Sequence, residues 1–255
     1  MTSIEVAGTG RFDLGRVMER TFTVIGGNFV AFALAAIILA GIPSLVTVVG
    51  QGGMPLPTSP RGWIITGTGW LLSLFGGYLL QAAIVYLTVN ALSGRTVTLI
   101  EALGAAIGKM LPLLGLAVLI FLGTMLGMVL LVIPGIIVAV IFCVAAPVLV
   151  MEKTPVFASL GRSRELTKGF RWPVFGLFVI YMIVATVISG TVTGISVATG
   201  GAMNGTGNPV VTMIFTPLIA IIQSIIGSAG IAALYYELRT AKEGVGTDEL
   251  AGFFD

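Results

Sequence analysis

The chain has 255 residues, of which 56% are apolar and 9% charged, and its mean hydropathy is +1.08. Soluble domains carry roughly 25% charged residues, so a water-soluble globular fold is excluded. An all-α polytopic membrane helix bundle is expected instead, with room for about six spans of roughly 20 residues each. The net charge of +2 sits almost wholly in connectors; it speaks to topology, and nucleic acid is not an expected partner.

Residues 1–28 form an arm in which Arg11, Arg16 and Arg20 are interleaved with Phe12, Val17, Phe22 and Val24. A short helix at the membrane surface and a solvated arm both fit that mixture. No apolar core with a small-residue cleavage site precedes the first span, 29–49, which is therefore expected to insert as an uncleaved anchor. Pro43 should bend it near its far end. The run GQGGMPLPTSPRG at 50–62 is a loop.

Span two covers 63–92, with Trp63 and Trp70 suited to an interface. A connector at 95–109 is rich in helix formers. Span three, 111–133, is expected to reverse at Pro134 and Gly135 into span four, 136–151, whose shortness leaves a re-entrant pair as the alternative. Span five, 173–198, is dense in Thr and Ser, hydroxyls that can bond back to helix carbonyls or across to neighbours. An uncharged loop at 199–209 leads to span six, 210–234, and YYELRTAKEG then begins a polar tail. The membrane domain is accordingly placed at 29–239 and the tail at 240–255. Asn204-Gly205-Thr206 fits a glycosylation acceptor pattern and is read as chance.

Of the 13 Lys and Arg, all but Arg61 fall in the arm, in the connectors at 95–109 and 151–172, or in the tail. With six spans these segments share one side, so the positive-inside rule places both termini in the cytoplasm of a bacterial inner (plasma) membrane. The dipeptides Leu14-Gly15, Leu103-Gly104 and Leu160-Gly161 recur in the charged segments, each ahead of an odd-numbered span. A threefold repeat of surface helix plus transmembrane hairpin would explain the recurrence; coincidence within an ordinary six-helix bundle is the alternative.

Chemistry has little to work with. Histidine is absent and Cys143 is alone, which removes imidazole catalysis and thiolate or imidazole metal sites, so no metal or cofactor is expected. The 11 carboxylates lie outside the expected spans, and the adjacent pair Asp248 and Glu249 is read as solvated. An enzyme is not expected. The polar residues within spans are Tyr78 and Gln81 in span two and Gln223 and Ser224 in span six. They would line a small transport cleft if those helices face each other, whereas interhelical hydrogen bonding is the commoner use of such residues. Gly123 with Gly127, and Gly190 with Gly194, have a spacing that permits close helix approach.

The densest charge lies in MEKTPVFASLGRSRELTKGFRW, residues 151–172. Thr154 as N-cap, Pro155 at the first helical position and Gly169 at the end predict about fourteen helical residues. Val156, Phe157 and Leu160 share one side with Ser163 and Thr167, while Arg162, Glu165 and Lys168 lie elsewhere. Lys153, Arg162, Arg164, Lys168 and Arg171, with Trp172 beside them, are the candidate contacts to lipid headgroups, each cation worth about 1 kcal/mol near an anionic leaflet. Charge that only fixes orientation is the competing reading.

Ile133-Pro134-Gly135, Ala146-Pro147-Val148, Glu152, Ser163, Glu165-Leu166-Thr167, Gly169 and Trp172, with Tyr235-Tyr236-Glu237-Leu238-Arg239 near the end, give an order that resembles the bacterial family named for the membrane domain of glycerophosphoryl diester phosphodiesterases. The resemblance is sharpest from 133 to 172 and implies a membrane module. The catalytic barrel that follows in some members depends on histidines and carboxylates, and its activity is not carried over. Gly161 departs from the pattern and should weaken the surface helix. The function expected is that of a non-enzymatic membrane protein contacting lipids, a membrane-protein partner or a second copy of itself. A small transporter or permease subunit using the Gln81 and Gln223 cleft is the alternative.

Overall fold

The computed structural model describes residues 12–52, 56–200 and 208–243. Arg11, most of the 199–209 loop with its Asn204, and the tail beyond 243 with Asp248 and Glu249 lie outside the described residues. The described elements are helical, and six helices are long and apolar enough to cross a membrane. The order is a short helix followed by two long ones, three times over. The first set is α1 (Leu14–Gly27), α2 (Phe29–Ala36) continued through a π-helical turn (Ile37–Gly41) into α3 (Ile42–Gln51), and α4 (Pro60–Leu92). The second is α5 (Leu99–Gly108), α6 (Met110–Leu130), and α7 (Val132–Phe142) with α8 (Ala145–Met151). The third is α9 (Val156–Thr167), α10 (Arg171–Gly200) and α11 (Pro209–Glu243).

What recurs is the element order. The shared glycines differ in their surroundings: Gly104 and Gly161 face open space, whereas Gly15 abuts Asp13.

Pro43 deforms the first span, but earlier than expected. A proline offers no N–H to the carbonyl four residues before it, so Leu39 loses its usual partner and the chain widens into the π turn around it. The freed Leu39 carbonyl lies against Gly76 of α4, where any side-chain carbon would overlap it. Two turns away, a carbon added at Gly69 would meet the Thr47 backbone nitrogen at 2.6 Å. Gly62, Gly69 and Gly76 thus form a stripe, spaced by seven residues, along which α3 and α4 meet backbone to backbone. In lipid, such close van der Waals contact replaces the hydrophobic effect as the force joining helices.

The second hairpin turns at Leu131, whose extended backbone (φ −166°, ψ 145°) ends α6. Pro134 and Gly135, expected to form the reversal, instead lie in the first turn of α7, where a missing N–H has no partner to lose. A carbon added at Gly127 would meet the Gly135 backbone nitrogen at 2.7 Å, so the two helices approach closely there, while Gly190 and Gly194 face open space. Span four is not continuous. It breaks at Cys143 and Val144 between α7 and α8, the position at which Pro147 cannot supply a bond to the Cys143 carbonyl.

The expected polar tail is the largest departure. Helix α11 continues through Glu243, and Tyr235, Tyr236, Glu237, Leu238 and Arg239 are all buried. The core runs through the C-terminal half of α4, from Leu80 to Val89, and the C-terminal part of α11, from Ala229 to Leu238. The outward faces of α6, α7 and α10 are large and apolar, including Phe121, Leu126, Val129, Met182 and Val187, as lipid-facing surfaces should be.

The α3–α4 contact is testable by paired substitution. Gly76→Ala should lower the thermal midpoint of the detergent-solubilised protein, because the added carbon must displace backbone. At neighbouring Gly77, which faces open space, the same change should be neutral or raise the midpoint, alanine being about 1 kcal/mol the better helix former. Equal responses would rule out the close approach.

Candidate functional site at the charged end

The short helices α1 and α9 meet the final turns of α11 at one end of the bundle. Glu237 is 2% exposed and is held by α1: Arg16 approaches Oε1 at 2.7 Å, and Arg20 pairs with Oε2. Arg20 also lies over the Tyr236 ring, 4.8 Å from its centroid. Asp13 begins α1 by accepting from the Gly15 N–H at 2.7 Å, a capping interaction that places both arginines on the turns facing α11. The hydrogen bond to Glu237 raises the Arg16 pKa above its ordinary value, desolvation opposes it, and the charges of Glu237 and Asp13 add to the rise. Arg16 is therefore a cation at every pH at which the fold is studied.

A second set of ions joins α8, α9 and α11. Tyr235 donates to Glu152 Oε1 at 3.0 Å, and Arg162 Nε donates to Glu152 Oε2 at 3.2 Å. Arg162 also pairs with Glu243 and lies 3.8 Å from Glu165. Arg239 donates from Nε to Glu243 at 2.9 Å and from Nη1 to the Tyr235 hydroxyl at 3.3 Å. Phe12 meets Phe170 with ring centroids 5.3 Å apart, and Lys242 lies 5.7 Å from the Phe170 centroid. The last turns of α11 thus hold the first and third short helices at once. The middle one, α5, begins with a capping box between Thr98 and Glu101 and packs Ala102 and Ala106 into the core.

Helix α9 starts at Val156 with Pro155 as N-cap, one residue later than expected, while Thr154 bonds instead to the Ser159 hydroxyl at 2.8 Å. It ends at Thr167, with Lys168 as its extended C-cap, and Gly169 follows in the left-handed region at φ 91°. The face it buries carries Ser159, Ser163, Leu166 and Thr167, whereas Phe157 on the expected apolar side is 77% exposed. Ser163 donates to the Ile141 carbonyl at 2.8 Å, and Thr167 reaches the same oxygen at 3.4 Å. Ile141 is in the last turn of α7, just before the break in span four. Two hydroxyls of a surface helix thereby serve a carbonyl that a helix end leaves without its usual partner.

The candidate headgroup contacts divide. Arg162 is committed to the ion network, and Lys153 stands apart in an exposed left-handed turn at φ 52°. Arg164, Lys168 and Arg171 come together around one pocket of about 510 Å³, with Gly161 and Glu165 on its wall. Arg171 is the first residue of α10, and its Nε is buried without a hydrogen-bond partner among the described residues. Trp172 beside it is 83% exposed. Three cations against one carboxylate at the start of a 30-residue helix form an anion-attracting site, since the helix dipole adds to the positive field.

The intramembrane cluster does not converge. Gln223 turns to α10, donating to the Ala185 carbonyl at 3.3 Å and to Ser189 Oγ at 3.2 Å, and Tyr181 donates to the Gln223 carbonyl at 3.3 Å. Ser224 bonds within its own helix, to the Ile221 carbonyl. No hydrogen bond joins Tyr78 or Gln81 to either of them among the described residues.

Glu237, Tyr235 and Arg239 are the site residues that sequence reasoning missed. Their signal was present: Tyr235 with Arg239, and Arg239 with Glu243, have the four-residue spacing of neighbours on one helix face.

Comparison with known proteins gives a partial likeness. The chain is 31% identical over 105 residues to a UPF0259 membrane protein of Pectobacterium carotovorum, a stretch covering 41% of this chain and 42% of that one. The chain thus matches less than half the length of this curated relative. No family model and no solved structure matches. With its six apolar helices, the likeness identifies a multi-pass integral membrane protein.

The ion lock has a measurable signature. Replacing Arg16 and Arg20 together by Gln leaves the buried Glu237 without these partners, and thermal unfolding in detergent should show a loss of roughly 3 kcal/mol, the lower end for breaking a buried pair. Adding Glu237→Leu should restore most of it, since an apolar group in that place has no charge to desolvate. A triple variant no more stable than the double would refute the lock.

Proposed function

We propose that this is a non-enzymatic protein of the bacterial inner membrane whose charged end lies on the cytoplasmic side and holds anionic lipid headgroups. The observation that supports this most is the convergence of Arg164, Lys168 and Arg171 on one pocket, while neighbouring Arg162 is occupied by Glu152 and Glu243. Cations needed only for orientation have no reason to gather. The cytoplasmic leaflet carries the anionic lipids such a cluster attracts. The resemblance to the membrane domain of glycerophosphoryl diester phosphodiesterases fits a lipid-facing module, and no phosphodiesterase activity is proposed. A transport cleft between spans two and six finds less support, because Gln223 bonds to span five.

The lipid carried through purification in mild detergent provides the test. Anionic phospholipid should be enriched over the zwitterionic kind relative to the source membrane, and replacing Arg164, Lys168 and Arg171 together by Gln should abolish the enrichment. An unchanged lipid composition would defeat the proposal. The orientation is checked separately in a Cys143→Ala background: a cysteine at Ser59 should react with an impermeant reagent outside intact cells, and one at Ser93 should not. The reverse pattern would overturn the cytoplasmic assignment.

A further inference from the structure

The basic pocket stands directly above an apolar wedge. Arg171, Phe175, Val179, Met182 and Thr186 succeed one another along a single stripe of α10 at helical spacing. From Phe175 onward this stripe faces α7 across a cavity of about 680 Å³, with Ile136, Ala139 and Val140 on the opposite wall. Thr186 is the one residue on its lining with a polar side chain.

The two sites share their walls. Helix α9, which supplies Arg164 and Lys168, is bonded through Ser163 and Thr167 to the end of α7, and α7 is one side of the wedge. Helix α10 supplies Arg171 to the pocket and the other side of the wedge. From Phe175 to Thr186 the stripe is about 17 Å long at about 1.5 Å per residue, close to the roughly 15 Å depth of hydrocarbon in one leaflet.

Resting on the reading of the basic pocket as a headgroup contact, we infer that pocket and wedge together form a site for a single diacyl phospholipid with an anionic headgroup. Its phosphate sits among Arg164, Lys168 and Arg171, and one acyl chain lies between α7 and α10. Charge selects the class. The pocket holds three cations and the carboxylate of Glu165, and Glu165 also lies near Arg162, so a headgroup whose net charge is negative is favoured over phosphatidylcholine, whose choline cation would meet the arginines. Length selects the source, because a free phosphate or glycerol phosphate fills the pocket and leaves an apolar groove of leaflet depth unused.

Native mass spectrometry of the full chain, delipidated in mild detergent and returned to phosphatidylglycerol, phosphatidylcholine or glycerol 3-phosphate, tests this. One phosphatidylglycerol should remain bound under conditions that strip phosphatidylcholine, and glycerol 3-phosphate should not displace it. Arg164→Gln, Lys168→Gln and Arg171→Gln together should weaken retention roughly 100-fold, about fivefold for each cation. Thr186→Phe and Ala139→Phe, which fill the wedge and leave the cations in place, should each weaken it about tenfold, the weight of two buried methylenes. Both should keep the enrichment of anionic lipid expected on purification.

Undiminished retention in both wedge variants, with enrichment intact, overturns the acyl site while leaving the headgroup reading standing. Loss of enrichment in the cation variant with no change in retention also overturns it. Displacement by glycerol 3-phosphate, equal retention of phosphatidylcholine, or a dimer that excludes lipid from the wedge does the same. Failure of the cation variant to alter enrichment defeats the reading beneath it.

Discussion

Glu237 governs the charged end of this molecule. A carboxylate 2% exposed near the end of a membrane-spanning helix requires compensating cations, because an uncompensated buried charge costs several kcal/mol. The cations come from α1, more than 200 residues earlier in the chain. Meeting that requirement fixes α1 against α11, and the same turns of α11 carry Tyr235, which engages Glu152, and Glu243, which engages Arg162, with Arg239 bonded to both Tyr235 and Glu243. The outer helices of the sequence are thereby joined through its last described turns.

Below that end, backbone polarity is the recurring constraint. Pro43 and Pro147 each remove an N–H within a span, and the two openings are resolved differently. Pro43 produces a π turn whose carbonyl is accommodated against Gly76. Pro147 accompanies a full break, and α9 supplies Ser163 and Thr167 to the Ile141 carbonyl. The second solution ties a surface helix to a transmembrane one, so α9 is seated by hydroxyls and ions while the apolar side expected to seat it stays partly exposed. That in turn leaves Arg164 and Lys168 on its outer side beside Arg171, above the gap between α7 and α10.

Much of this was legible in the sequence, for identifiable reasons. Six apolar runs and the one-sided distribution of Lys and Arg gave the bundle and its two unlike ends, since span length and charge placement are properties of segments. The short helices followed from caps and mixed composition. The reversal at Leu131 was misplaced onto Pro134 because proline suits a first helical turn as well as a loop. The heptad stripe of Gly62, Gly69 and Gly76 was hidden among 35 glycines, and the partner of Glu237 could not be seen because nothing local links Arg16 and Arg20 to it. Gln81 and Gln223 were grouped by type; which neighbour each meets depends on helix rotation, and Gln223 turns to α10.

The most direct measurement is a cryo-electron microscopy map of the full chain in nanodiscs containing phosphatidylglycerol. The expected result is density for one phosphate within hydrogen-bonding reach of Arg164, Lys168 and Arg171, continuous with an acyl chain between α7 and α10, with α1 seated on Glu237. A basic pocket occupied by protein or open to water while lipids keep to the outer faces of α6 and α10 would contradict it.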